Sequence, residues 1–136
     1  MDRELFEAAR SVRGKAYAPY SRFLVGAALR TEAGSVRVGC NVENAAYPLG
    51  CCAETAAIAA MIGASSGPQD RRIAILCVVA EAVDGRLTTP CGGCRQRIAE
   101  FAGPDVEVHL ADPDGKATTF RLGELLPEAF GLGRRS

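Results

Sequence analysis

The sequence predicts an α/β (α+β) fold, a three-layer α-β-α sandwich around a mixed sheet of about five strands. Helix and strand patterns interleave along all 136 residues, and a strand–helix–strand unit spans 73–111. No internal repeat, low-complexity tract or Pro/Ser-rich linker interrupts this pattern. We therefore expect one domain over residues 1–136, a length that suffices for a substantial apolar core.

The N-terminal half is predicted to hold a helix, a β-hairpin and a second helix. The first helix is indicated by apolar residues at helical spacing: Leu5, Ala9, Val12 and Ala16. Pro19 is expected to end it. Strands are predicted at 23–30 and 36–42, with a Thr-Glu-Ala-Gly turn between them. An Ala-rich helix over 52–62 follows, and Gly63 is expected to close it.

The C-terminal half is predicted to contain the strand–helix–strand unit. The apolar run 73–80 is typical of a strand that is buried on both faces. A helix over 91–102 and a strand over 106–111 complete a right-handed unit with two parallel strands. The elements expected after this unit are a strand at 117–121, a short helix at 122–126 and a tail at 127–136.

Charge and hydropathy exclude two classes of partner. The charges of sixteen basic and sixteen acidic residues cancel. A chain without net charge lacks the positive surface of a general nucleic-acid-polymer binder, which favours a small-molecule partner. No stretch approaches the roughly 20 apolar residues that span a bilayer, and the N-terminus does not read as a secretory signal. We therefore expect a cytoplasmic protein without a membrane partner. There, six cysteines are more often thiols, metal ligands or redox groups than disulfides.

Two short cysteine motifs carry the chemistry. Cys91 and Cys94 open the predicted helix 91–102, so their sulfurs lie on one helix face. Cys52 and Glu54 open the preceding helix. Helix N-termini favour thiolates because of their free N–H groups and the helix dipole. Two such N-termini that point at each other would bring three sulfurs to one zinc ion and leave a fourth, catalytic position open.

Two other uses of these cysteines stay open at this point. A Cys-x-x-Cys that follows a strand and opens a helix is also the thioredoxin arrangement, so Cys91 and Cys94 alone would suit a redox dithiol. A fourth cysteine would instead close the metal site and make it structural. Cys51 suits that role poorly, because neighbouring helix residues point about 100° apart. We expect Cys51, Cys40 and Cys77 to be packed residues.

Further motifs extend the Cys-Ala-Glu and Pro-Cys-x-x-Cys signature along the chain. They are YAPYS at 17–21, Phe23, VGAAL at 25–29, NVENA at 41–45, CGGCRQ at 91–96, LLP at 125–127 and Phe130. The signature is the three-cysteine form found in zinc nucleobase deaminases. As a set, the motifs resemble the small, homotetrameric cytidine deaminases. The resemblance implies a cytidine-deaminase-like fold, one Zn²⁺ per chain and a role in pyrimidine salvage.

The resemblance also implies a reaction, the hydrolytic deamination of cytidine and deoxycytidine to uridine and deoxyuridine plus ammonia. Cys52, Cys91 and Cys94 would hold the zinc ion, which supplies hydroxide at neutral pH for attack on C4 of the base. Glu54 would take the water proton and return it to the ring nitrogen and the leaving ammonia. Glu54 is not a metal ligand in this scheme.

One position departs from the family pattern. An Arg commonly follows the catalytic Glu in the family and hydrogen-bonds the thiolates, whereas this chain has Thr55 there. A Thr hydroxyl can donate to sulfur but brings no positive charge. Arg95, next to Cys94, is a candidate for the missing cation. Without another cation nearby, we expect a more negative metal site, in which the acidity of the zinc-bound water or the rate of catalysis is lowered.

Substrate contacts follow from the resemblance position by position. Asn41 and Glu43 match the pair that holds a ribose hydroxyl, and their side chains suit a sugar diol. Phe23 matches an aromatic residue that stacks on the pyrimidine ring. Ala53, between Cys52 and Glu54, is assigned to the same substrate site.

The resemblance further implies active sites shared between subunits. In the family, a neighbouring subunit supplies the aromatic residue that matches Phe130, together with contacts around Ala45 and Tyr47. The expected partners are therefore a pyrimidine nucleoside and further copies of the chain in a homotetramer. An isolated subunit is expected to be inactive.

Two alternatives to cytidine deamination stay open. The first is a deaminase of the same fold that acts on another aminopyrimidine nucleoside, such as a blasticidin-like antibiotic. The second is a zinc-stabilised, non-catalytic homologue in which Thr55 marks a degraded site. His109, the single histidine, is expected to be structural, which distances the chain from polynucleotide deaminases, whose first zinc ligand is usually His.

Overall fold

The computed structural model describes residues 1–132 and contains a single mixed sheet within that range. Its strands are β1 (Val25–Thr31), β2 (Val36–Cys40), β3 (Ile73–Ala80), β4 (Glu107–Ala111) and β5 (Ala117–Arg121). Its helices are α1 (Arg3–Arg13), α2 (Ala53–Ala64), α3 (Gly92–Phe101) and α4 (Leu122–Leu125). Single 3-10 turns occur at Tyr47–Leu49 and Pro68–Arg71. The last four residues of the predicted tail, 133–136, lie outside the described residues.

The sheet has the strand order β2-β1-β3-β4-β5. β1 runs antiparallel to both β2 and β3, β4 runs parallel to β3, and β5 returns antiparallel to β4. The predicted mixed sheet and the parallel pair joined through α3 are therefore confirmed. None of the helices within residues 1–132 has the length and apolar character needed to cross a bilayer.

Two apolar clusters on opposite faces of the sheet make the three layers. Alternate residues of a strand point to opposite faces. In β3, Leu76 and Val78 pack with α2 and α3, whereas Cys77 and Val79 pack with α1. The predicted sandwich is therefore confirmed, with α1 on one face and the two cysteine-bearing helices together on the other.

Several helix and strand ends differ from the prediction by one to three residues, and β2 ends at Cys40 instead of residue 42. Three of the differences have a visible cause. α1 ends at Arg13 instead of reaching Ala16, because the N–H groups of 14–16 turn back to carbonyls three residues earlier. Gly63 lies inside α2, and Ser65 caps that helix by donating its hydroxyl to the Ile62 carbonyl at 2.9 Å. β1 begins at Val25, not at 23. The chain turns at Arg22, whose φ of 61° is left-handed, and the Phe23 carbonyl accepts from the Asn41 side chain instead of pairing with a neighbouring strand.

A close approach between β2 and α2 places the first cysteine helix. A Cβ atom on Gly39 would lie 2.3 Å from the Ala57 nitrogen and 2.6 Å from the Ala53 carbonyl oxygen. Only glycine permits that separation between sheet and helix backbone. The contact sets the height of α2 above the sheet and therefore the position of the residues at its N-terminus.

Candidate functional site

The N-termini of α2 and α3 meet on the same face of the sheet. Cys52 is the N-cap residue of α2, Cys91 is the N-cap residue of α3, and Cys94 lies in the first turn of α3. Their sulfur atoms all lie within 4.8 Å of one another. Within residues 1–132, this trio is the one cluster of three or more Cys, His, Asp or Glu side chains placed to share a metal ion.

The chemistry of this trio fits zinc. Thiolates are soft ligands, and zinc is commonly bound by cysteine sulfur in tetrahedral sites. Cys51 and Cys40 do not belong to the cluster, so three protein ligands would leave a fourth coordination position for water or substrate. The Cys51 thiol instead donates to the Cys52 carbonyl oxygen at 3.4 Å.

Burial and neighbouring groups make the three thiols unequal acids. A hydrogen bond from the Cys94 backbone N–H lowers the pKa of Cys91. Burial raises the pKa of Cys52, and burial together with the nearby Glu54 carboxylate raises the pKa of Cys94. Because thiols bind metal ions as thiolates, a bound cation opposes the last two shifts. Metal uptake is therefore coupled to proton release.

Glu54 places a buried carboxyl group beside the thiols. It lies in the first turn of α2 and is only 5% exposed. Burial raises its pKa above the ordinary value, and hydrogen bonds from its own backbone N–H and from the Cys94 thiol oppose that shift. A carboxyl group with a raised pKa can accept a proton and return it near neutral pH.

A cavity of about 290 Å³ opens onto the thiols and Glu54. Its walls include Phe23, Asn41, Glu43 and Ala53, the own-chain residues that the resemblance assigned to substrate. The sequence predicted no substrate role for the other lining residues, which are Ser21, Val25, Val78, Thr88 and Thr89. Ser21 closes the YAPYS motif and the threonines directly precede the Pro-Cys motif, so adjacency to motifs is the signal that could have found them.

Asn41 and Glu43 also organise the segment that carries Phe23. The Asn41 side chain donates to the Phe23 carbonyl at 2.8 Å and accepts from the Val25 N–H at 2.9 Å. The Glu43 carboxylate accepts from the backbone N–H and the hydroxyl of Ser21. These bonds hold the pKa of Glu43 below its usual range, so it is ionised at neutral pH and accepts hydrogen bonds only.

Three other predicted substrate residues do not line this cavity. Tyr47 is 74% exposed and lines a second cavity of about 350 Å³, where its ring lies 6.0 Å from that of Tyr20. Glu43 belongs to the walls of both cavities. Ala45 is exposed, and Phe130 is 68% exposed. Within one chain, the structure therefore does not bring these three residues to the thiol cluster.

Residues 1–110 match the family described as "Cytidine and deoxycytidylate deaminase zinc-binding region". This chain belongs to that deaminase family. A cytidine deaminase from Halalkalibacterium halodurans is 44% identical over 131 residues, which cover 96% of this chain and 95% of the relative. A cytidine deaminase from Mycobacterium tuberculosis is 44% identical over 117 residues, 86% of this chain and 80% of the relative.

Solved structures agree with this family assignment. The crystal structure of cytidine deaminase from Burkholderia pseudomallei matches with a TM-score of 0.83 and 44% identity, over 96% of this chain and 99% of that one. A blasticidin-S deaminase from Bacillus cereus is a more distant relative, 32% identical over 105 residues, 76% of this chain and 74% of the relative.

In this deaminase, the two residues considered for tuning the thiols occupy different surroundings. Thr55 Oγ1 lies 3.9 Å from Cys94 Sγ, within hydrogen-bond range for sulfur. The Arg95 guanidinium donates to the carbonyls of Pro90 and Leu125, each at 2.8 Å, and to the Thr89 hydroxyl at 3.0 Å. These three hydrogen bonds of Arg95 all go to oxygen atoms, whereas Thr55 lies within hydrogen-bond range of a ligand sulfur.

His109 lies away from this chemistry. It is buried in β4, and its Nδ1 is 2.7 Å from the Thr119 hydroxyl of β5. Burial lowers its pKa, so the ring is neutral in the folded protein at neutral pH. This placement agrees with the structural role expected from the sequence.

Proposed function

We propose that this chain catalyses the hydrolytic deamination of cytidine and deoxycytidine to uridine and deoxyuridine plus ammonia. The observation that carries the proposal is the trio Cys52, Cys91 and Cys94 beside buried Glu54 at the end of a substrate-sized cavity. One Zn²⁺ per chain would be held by the three thiolates, and when bound it supplies a water molecule acidified to near-neutral pKa.

Glu54 is the proton carrier in this proposal. Its burial gives the carboxyl group the raised pKa that a shuttle requires. The carboxylate takes a proton from water as the water oxygen adds to C4, and passes it to the ring nitrogen. It then takes the second proton from the new C4 hydroxyl and delivers it to the exocyclic amino group, which leaves as ammonia as the C4 carbonyl forms. Thr55 would donate a hydrogen bond to the Cys94 thiolate and so stabilise its ionised form.

The nucleoside is held by groups around the cavity wall. Phe23 would stack against the pyrimidine ring, and Ala53 would contact the base from the start of α2. Glu43, ionised and at the cavity wall, would accept from a ribose hydroxyl, while Asn41 fixes the neighbouring backbone. Arg95 would support the wall by holding the loop at Thr89.

We further propose a homotetramer with shared active sites. Ala45, Tyr47 and Phe130 lie outside the chain's own thiol cavity, and the last two present large exposed rings. Other exposed apolar side chains that a partner copy would cover are Tyr17, Tyr20, Val42 and Leu49. In this assembly, Phe130 of one subunit completes the substrate site of a neighbour.

The cellular setting follows from the same chemistry. Residues 1–136 would act as one catalytic domain in the cytoplasm, where a reducing environment keeps the six free cysteines as thiols. The reaction would serve pyrimidine salvage. Its substrate is a free nucleoside and not a polymer, because a chain without net charge lacks the positive surface that a polynucleotide requires.

Loss of the cytidine absorbance band on adding purified protein tests the activity. We expect the parent chain to convert cytidine, and Glu54→Gln to lose about 10²- to 10⁴-fold in kcat while keeping its zinc. Glu100→Gln, at an exposed carboxylate on α3, is the matched control and should match the parent. A parent chain that binds zinc but leaves cytidine unchanged would contradict the proposal and favour a non-catalytic homologue.

The relationship to a blasticidin-S deaminase supports a second candidate substrate, another aminopyrimidine nucleoside. Parallel assays with cytidine, free cytosine and blasticidin S separate the two. Preference for cytidine over cytosine indicates that the site recognises a ribose. Turnover of blasticidin S alone would make the second candidate correct.

A further inference from the structure

The side chain of Gln96 holds the main chain of Phe130 through both of its polar groups. Gln96 Nε2 donates to the Phe130 carbonyl oxygen at 3.0 Å, and the Phe130 N–H donates to Gln96 Oε1 at 3.3 Å. A side-chain amide that donates to and accepts from the same residue fixes both flanking peptide groups. The segment that carries the Phe130 ring is therefore fastened to α3, two residues beyond Cys94.

This segment has little other regular structure to hold it. α4 ends at Leu125, and the chain from there to residue 132 contains no further helix or strand. Arg95 adds a second attachment by donating to the Leu125 carbonyl at 2.8 Å. Two adjacent residues of α3 thus anchor both ends of the 125–130 segment.

The Phe130 ring itself remains in solvent. It is 68% exposed and does not line the cavity of its own chain. A fixed backbone beneath an exposed aromatic ring is the arrangement of a side chain that is presented to another molecule, because preorganisation reduces the entropy lost on contact.

We propose that Gln96 is a positioning residue that presents Phe130 to the active site of a second copy of the chain. This inference rests on the proposed function, in which Phe130 completes a neighbour's site. It assigns to Gln96 an effect on the neighbour's substrate and not on the thiol cluster of its own chain, although Cys94 is only two residues away.

The kinetic test uses Gln96→Ala and Gln96→Met, of which the second keeps the side-chain length without its hydrogen bonds. Loss of two neutral hydrogen bonds predicts roughly a tenfold rise in the KM for cytidine. The kcat is expected to stay within about twofold, and zinc content per chain to stay unchanged. Gln69→Ala removes the chain's other glutamine, which is exposed, and should match the parent.

Mixed assemblies then decide on which chain Gln96 acts. Gln96→Ala chains are co-assembled with an excess of Glu54→Gln chains, which lack the proton carrier but keep Gln96 and Phe130. Every competent site then lies on a Gln96→Ala chain, and most such sites receive Phe130 from an unaltered segment. We expect the KM to return to the parental value. A KM that stays raised, or was never raised, overturns the proposal, as does loss of zinc from the Gln96→Ala chain.

The same mixing with Phe130→Ala in place of Gln96→Ala tests the shared site alone. If the parental KM is recovered with Phe130→Ala but not with Gln96→Ala, the shared site is supported and the role of Gln96 is refuted. Recovery with neither refutes the shared site and the inference together. If both Gln96 variants fail to assemble, the proposal is also refuted, because it requires an intact assembly with a misplaced ring.

Discussion

The contact between Thr55 and the ligand sulfur of Cys94 gives a prediction whose size follows from the structure. Thr55→Val keeps the shape of the side chain and removes the hydroxyl. Burial and Glu54 make Cys94 difficult to ionise, and an ionised sulfur can only accept, so the hydroxyl is the donor when metal is bound. A hydrogen bond to a charged group contributes about 1.5–3 kcal/mol at good geometry, but the 3.9 Å separation is long, so we expect the lower range of about 0.5–1.5 kcal/mol.

This range corresponds to a zinc dissociation constant that rises about 2- to 12-fold. Competition with a chromophoric chelator measures it directly. Thr55→Ser should retain the parental affinity because it keeps the hydroxyl, and Thr118→Val, at an exposed position of β5, is the matched control. An affinity that is the same in Thr55→Val and Thr118→Val would show that the Thr55 hydroxyl does not stabilise the bound zinc.

Charge at the same position can be tested separately with Thr55→Arg. A guanidinium beside three thiolates favours ionised groups at the cluster, so we expect the acid limb of the pH–rate profile to move to lower pH. An unchanged profile would show that the chain needs no positive charge at Thr55.

Three further predictions concern the scaffold. Gly39→Ala should lower the free energy of unfolding, measured in urea, by about 2–3 kcal/mol, because the added Cβ meets backbone atoms of α2. Gly63→Ala is the control and should be neutral or stabilising, because the space around Gly63 is open. Equal effects of the two substitutions would contradict the close packing at Gly39. Burial raises the pKa of the Cys77 thiol to about 12, so this thiol should resist thiol reagents at about pH 8 until the protein unfolds. Rapid labelling of Cys77 in the native protein would contradict its burial. Asp70→Asn should lower the urea midpoint of unfolding at pH 7, because the Thr31 hydroxyl and neighbouring donors hold the pKa of Asp70 below its usual value of 3.8. The ionised carboxylate stabilises the fold above pH 3.8, so the difference in midpoint between parent and variant should shrink as the pH falls below 3.8. A difference in midpoint that does not depend on pH would contradict this prediction.

The sequence was informative about the site wherever the signal was local. Cysteine at a helix N-cap and again in its first turn places two sulfurs together through helix geometry alone, as found for Cys91 and Cys94. Convergence with Cys52 is not local. It depends on how closely α2 approaches the sheet, which Gly39 determines from a strand that precedes α2. Spacing therefore permitted the trio, and only the packed structure brings its sulfurs within 4.8 Å.

The predicted ends of helices and strands were wrong where a contact distant in sequence, or a cap, overrode the local sequence pattern. Gly63 was a reasonable helix end, but the Ser65 hydroxyl supplies a cap two residues later. The run from Phe23 looked like a continuous strand, yet Glu43 binds Ser21 across 22 residues and draws the chain into a tight loop. Arg95 shows the same limit in the site, because sequence adjacency to Cys94 suggested a charge partner and its donors bond carbonyl oxygens instead.

We have proposed that Cys52, Cys91, Cys94 and Glu54 form one zinc-dependent deaminase centre per chain. Stepwise addition of zinc to metal-free protein, with cytidine conversion followed at each step, tests this proposal. We predict that activity rises linearly and stops rising at one zinc ion per chain. Activity in the metal-free protein, or one zinc bound per chain with cytidine left intact, would contradict it.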